Sequence, residues 1–77
     1  MENEEGVRAL FMRMIPGLNA ESCDALIAEG LLNTNNINDV IAALEERYGV
    51  RISYENLTEE NFCSAATVAK MIEELQG

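Results

Sequence analysis

INDVIAALEERYG, residues 37–49, is the stretch whose reading decides the fold. Ile37, Val40, Ile41, Leu44 and Tyr48 recur at the three- and four-residue steps that line one face of an α-helix, and Gly49 supplies the left-handed residue on which helices commonly stop. The polar residues between them, Asn38, Asp39, Glu45, Glu46 and Arg47, then face water. Asp39 in the first turn suits the positive end of the helix dipole.

Upstream lies LLNTNN, residues 31–36. Asn33, Thr34, Asn35 and Asn36 are all residue types that cap helix N-termini, because their side-chain oxygens can accept from first-turn amides. Capping alone accounts for the cluster. The alternative is that the Thr34 hydroxyl does chemistry. A calcium loop can be drawn through Thr34, Asn36, Asn38 and Glu45, but its first position lacks a carboxylate and its turn position holds Asp39 where glycine is needed. The helical stripe excludes it as well.

Further outward the same period recurs twice. Val7, Leu10, Phe11, Met14 and Ile15 define a helix from about Asn3, broken by Pro16-Gly17. Val68, Met71, Ile72 and Leu75 define a last helix, capped by Ser64. Between them, Thr58 caps a short helix, Glu59 to Phe62, with Phe62 plugging the core. Val50, Ile52 and Leu57 are expected to point inward. Leu18–Leu32 is open to two readings, a packed loop or a loop containing a turn or two of helix from about Ala20 to Ala28. In either, Gly30 frees the backbone so that Leu31 and Leu32 anchor the next helix.

With 77 residues the chain makes one domain, 1–77, which hides only about 60 to 65% of the surface its unfolded form exposes. A hydrophobic content of 48% is too high for a disordered chain. Fourteen acidic residues against five basic ones give a net charge of −9, which repels phosphate backbones and favours basic protein partners. Nucleic-acid binding is not expected. No apolar run approaches the ~20 residues that span a bilayer, and the acidic start lacks a secretion signal, so a soluble, cytoplasmic monomer is expected. Cys23 and Cys63, without CxxC spacing, read as reduced core or near-core residues.

Histidine is absent. That removes the commonest general base and the usual zinc ligand, and the adjacent pairs Glu45-Glu46 and Glu73-Glu74 diverge by about 100° on a helix. No enzyme and no metal site is expected. Met14 and Met71 sit at stripe positions and read as core, with Met12 free to contribute an adaptable apolar surface.

NTNNINDVIAALEERYGVRI followed by ENLTEENFCSAATVAKMIEEL resembles the acyl carrier proteins, small acidic helical domains that hold acyl or aminoacyl groups on a 4′-phosphopantetheine arm. The resemblance covers most of the chain. It implies an all-α, acyl-carrier-like four-helix bundle of three longer helices and one short one, with a long first loop. It also implies a role in fatty acid, polyketide or related pathways. The family's attachment motif falls on Asn33-Thr34-Asn35, which places Thr34 where the modified serine would stand, with Asn36 completing the flank.

By the same resemblance the second helix would be the docking face, through Asp39, Val40, Glu45 and Glu46. Its partners would be enzymes with basic patches: the phosphopantetheinyl transferase and the acyl-transferring or synthase enzymes. The departures gather at the attachment site. Thr34 adds a methyl group that stiffens χ1, Asn33 lacks the aspartate charge, and Asn35 replaces an apolar residue. Two readings follow, a carrier with an altered attachment site and an arm-less interaction or regulatory module that keeps the docking face.

Overall fold

Proline and glycine punctuate the chain where the sequence places them. In the computed structural model, which describes residues 2–19 and 22–77, α1 spans Glu2–Met14 and ends as the chain turns through Pro16 and Gly17, the latter at φ 85°. α2 spans Ile37–Tyr48 and stops on Gly49, whose left-handed backbone (φ 66°) lets its N–H reach the Glu45 carbonyl at 2.9 Å. α3, Glu59–Phe62, and α4, Ala65–Gln76, complete the element order, with 3-10 turns at Ser22–Asp24 and Tyr54–Asn56. Among the described residues the regular structure is all helical, as expected for an all-α bundle.

α4 starts where a reciprocal cap makes it start. Ser64 Oγ accepts from the Thr67 amide (3.2 Å) while Thr67 Oγ1 accepts from the Ser64 amide (3.1 Å), so two otherwise orphaned donors are satisfied together. The expected Thr58 cap of α3 is present too, its hydroxyl accepting from the Asn61 amide at 3.2 Å.

α1 packs along α4, and Asn3 at the start of one donates to Gln76 at the end of the other (3.2 Å), so the two run antiparallel. Val7, Leu10 and Phe11 from α1 and Val68, Ala69, Met71 and Ile72 from α4 are buried in one core with Val40 and Leu44 of α2. Ile52 and Phe62 close it from the second half of the chain. Burying each large side chain contributes about 1.5–3 kcal/mol. α2 meets α1 at a close approach: the Tyr48 hydroxyl lies against Gly6, where a β-carbon would overlap it. That hydroxyl is buried and has no hydrogen-bond partner among the described residues.

Several expectations need correction. Of the turn or two of helix read from about Ala20 to Ala28, the described part shows one 3-10 turn and no α-helix; residues 20 and 21 lie outside it. The chain makes a 3-10 turn at Ser22–Asp24 and further turns up to Gly30. The reason is a competing bond: the Leu26 amide donates to the Cys63 carbonyl (2.9 Å) instead of reaching four residues back, and the Leu26 carbonyl accepts from both Leu31 (2.9 Å) and Leu32 (3.1 Å). The Glu29 amide still reaches the Ala25 carbonyl four residues back (2.9 Å), but at Leu26 the long-range bond interrupts the helical ladder. Leu26 and Leu32 are buried, and Leu31 only partly so.

Leu57, expected inside, is 38% exposed and lines a groove with Phe62, which is buried. Cys23 is buried but Cys63 is exposed, its thiol near the Glu60 carbonyl (3.6 Å) and Thr67 Oγ1 (3.7 Å) at the junction of α3 and α4. Both are free thiols, and burial pushes the Cys23 thiol above its ordinary pKa. Met71 is buried as expected, whereas Met14 is only partly covered and Met12 is exposed.

Candidate functional site

The turn before α2 is built by its asparagines, and not in the way helix capping would have it. Asn36 occupies the N-cap position of α2, yet its side chain makes no capping bond. Its Oδ1 accepts from the Asn33 amide (2.9 Å) and its Nδ2 donates to the Leu31 carbonyl (2.7 Å). Asn33 uses both ends in the same manner, Oδ1 accepting from the Asn35 amide (2.8 Å) and Nδ2 donating to the Gly30 carbonyl (2.9 Å).

Each of these carboxamides needs a donor and an acceptor at once, which a carboxylate cannot supply. A charged residue at position 33 would set its oxygen against the Gly30 carbonyl. The local fold therefore explains Asn33 and Asn36. The side chain of Asn35 is exposed and forms no hydrogen bond among the described residues.

Thr34 is left out of this network. It is exposed in the turn, and its hydroxyl makes no hydrogen bond among the described residues. Of the first amides beyond it, Ile37 donates to the Asn33 carbonyl (2.9 Å) and Val40 to the Asn36 carbonyl (3.0 Å). Those of Asn38 and Asp39 have no acceptor among the described residues. Two donors at the positive end of α2 thus stay open to water or to an anion.

Beside Thr34 opens a groove of about 200 Å³. Its walls are Ile27, Leu32, Ile37, Leu57 and Phe62, with Asn33, Thr34 and Thr58 also bordering it. The resemblance singled out Thr34 but not this groove, since nothing in the order of residues ties Ile27 to Leu57 and Phe62. The nearest signal is Leu57 itself, a large apolar residue outside every helical stripe.

The residues expected to dock partners divide. Asp39 and Glu46 are exposed on α2. Val40 is fully buried and offers no surface, a correction that follows from its place on the inward stripe with Leu44. Glu45 is half-buried and holds the next loop in place, its Oε2 accepting from the Ile52 amide at 2.9 Å.

Among the described residues no group of three His, Cys, Asp or Glu side chains could hold a metal ion. No helix there is long and apolar enough to cross a membrane. Compared with known proteins, the chain matches no family model and no curated sequence.

Proposed function

We propose that the chain is a carrier module of the acyl carrier type, which presents acyl or aminoacyl intermediates to fatty acid, polyketide or related enzymes from a 4′-phosphopantetheine arm on Thr34. The observation that carries this reading is the Thr34 hydroxyl: exposed, free of internal bonds, at the positive end of α2 and beside an apolar groove. When bound, the arm supplies a flexible thiol to which cargo is esterified. Thr34 Oγ1 would form the phosphodiester by attacking the pantetheine-bearing phosphorus of coenzyme A, whose pyrophosphate bond breaks to release adenosine 3′,5′-bisphosphate. No base among the described residues hydrogen-bonds it, so its proton would leave to a base of the separate transferase.

The open amides of Asn38 and Asp39 suit the resulting phosphate. The groove walls suit an apolar cargo. The exposed carboxylates of α2 suit partner enzymes with basic patches, such as a phosphopantetheinyl transferase or a synthase.

A second reading, an arm-less interaction or regulatory module, is favoured by one specific feature. The Thr34 methyl stiffens the side chain, and Asn33 is committed to loop bonds, so no carboxylate stands next to the hydroxyl. Intact mass after incubation with coenzyme A and a broad-specificity phosphopantetheinyl transferase separates the two. Carrier function predicts a gain of about 340 Da on the wild-type chain. A gain confined to the Thr34→Ser variant means that the scaffold is accepted but its natural residue is not, and supports the arm-less reading.

A further inference from the structure

Three large apolar side chains stand exposed among the described residues, Met12, Tyr54 and Leu57, and two of them share one four-residue turn. Singly exposed apolar residues are ordinary. This turn differs in being held rigid. The Ser53 amide and hydroxyl both donate to Asn56 Oδ1 (2.9 Å each), the Leu57 amide returns to the Tyr54 carbonyl (3.1 Å), and Asn61 Nδ2 of α3 clamps the Asn56 carbonyl (2.9 Å).

Tyr54, 90% exposed, is thus displayed on a fixed backbone. With the backbone fixed, only the two side-chain torsions of the tyrosine remain to be ordered on binding, and tyrosine is among the residue types that dominate interface energies. Glu55 in the turn and Glu59 and Glu60 in the first turn of α3 are all exposed and none is ion-paired among the described residues, against the single cation Arg51 in residues 51–60.

Leu57 and Thr58 carry the same surface into the groove that borders Thr34. The outer face of α2 offers less: its exposed residues Asn38, Asp39, Ala42, Glu46 and Arg47 include no large apolar side chain, and Arg47 offsets one of the carboxylates.

We propose that the Tyr54–Leu57 turn, together with the exposed carboxylates of Glu55 and of Glu59 and Glu60 at the start of α3, is the docking surface for a protein partner that presents an apolar pocket rimmed by basic side chains. This surface, more than the outer face of α2, sets the affinity. That the partner is an enzyme acting at Thr34 rests on the proposed carrier function.

The test measures binding of a broad-specificity phosphopantetheinyl transferase to the full chain by fluorescence anisotropy without coenzyme A, with loading followed separately by mass. Tyr54→Ala, which keeps its fold by circular dichroism because the side chain is almost wholly exposed, weakens binding by about 10-fold or more. Glu59→Gln with Glu60→Gln lowers affinity by about 3-fold and flattens its salt dependence. Asp39→Asn with Glu46→Gln changes it by less than about 2-fold.

Equal affinity for Tyr54→Ala and wild type, or no binding by wild type, overturns the docking surface. Tyr54-dependent binding without a mass gain on the wild-type chain keeps the surface and sinks the carrier reading. Loading with unchanged Tyr54→Ala affinity does the reverse.

Discussion

The seam between α1 and α4 and the turn at residues 30–36 are held together by different forces. The seam is apolar on both sides, with Val7, Leu10 and Phe11 packed in one core with Val68, Met71 and Ile72. The turn contributes one deeply buried side chain, Leu32, and is held by four hydrogen bonds from two carboxamides. Stability therefore resides in the seam. The turn needs only enough order to fix where Thr34 stands, and Thr34 itself has no part in that order.

The contrast is most easily broken in the seam. Phe11→Ala removes the largest of the fully buried side chains and is expected to cost about 3–5 kcal/mol, read from the urea midpoint of the circular dichroism signal. A loss under about 1 kcal/mol contradicts the assignment of stability to this side of the molecule.

The contact between α1 and α2 sharpens the comparison, because there the packing contains a flaw. The buried Tyr48 hydroxyl has no partner among the described residues and sits where a Gly6 β-carbon would go. Gly6→Ala alone is expected to destabilise by about 1–2 kcal/mol through overlap. Combined with Tyr48→Phe it becomes a gain over wild type of about 1–2 kcal/mol, since alanine favours the helix and no hydroxyl stays unsatisfied. A double variant no more stable than Gly6→Ala contradicts the overlap.

In the turn the effects shrink. Asn36→Ala removes one acceptor and one donor, leaving the half-buried Leu31 carbonyl unpaired, and is expected to cost about 1–2 kcal/mol in the same urea titration. Equal stability of variant and wild type contradicts the part given to the carboxamides.

These two regions were also unequally legible in the sequence. α2 was readable almost to the residue, because its apolar stripe, its acidic first turn and Gly49 all agree. α1, α4 and the Ser64 and Thr58 caps followed from the same local rules. What failed depends on long-range partners. The Leu26 amide turns to Cys63 across the fold and Leu57 stays partly exposed beside a groove shared with Ile27 and Phe62, whereas Val40 belongs to the inward stripe that the sequence itself shows.

At the site, Thr34 and its asparagines could be named from their order, but their division of labour could not. Four residues of two cap-forming types look alike in sequence, and only the pairing of Asn33 with Gly30 and Asn35, and of Asn36 with Leu31 and Asn33, separates structural carboxamides from the uncommitted hydroxyl.

The central claim is that this hydroxyl serves a function and no structural purpose, so the most direct measurement pairs site with stability. After treatment with coenzyme A and the transferase, peptide fragmentation is expected to place a single arm on Thr34. Thr34→Ala is expected to take none while unfolding within about 0.5 kcal/mol of wild type. An arm on another hydroxyl, no arm on the wild-type chain, or a Thr34→Ala variant that loses more than about 1 kcal/mol contradicts it.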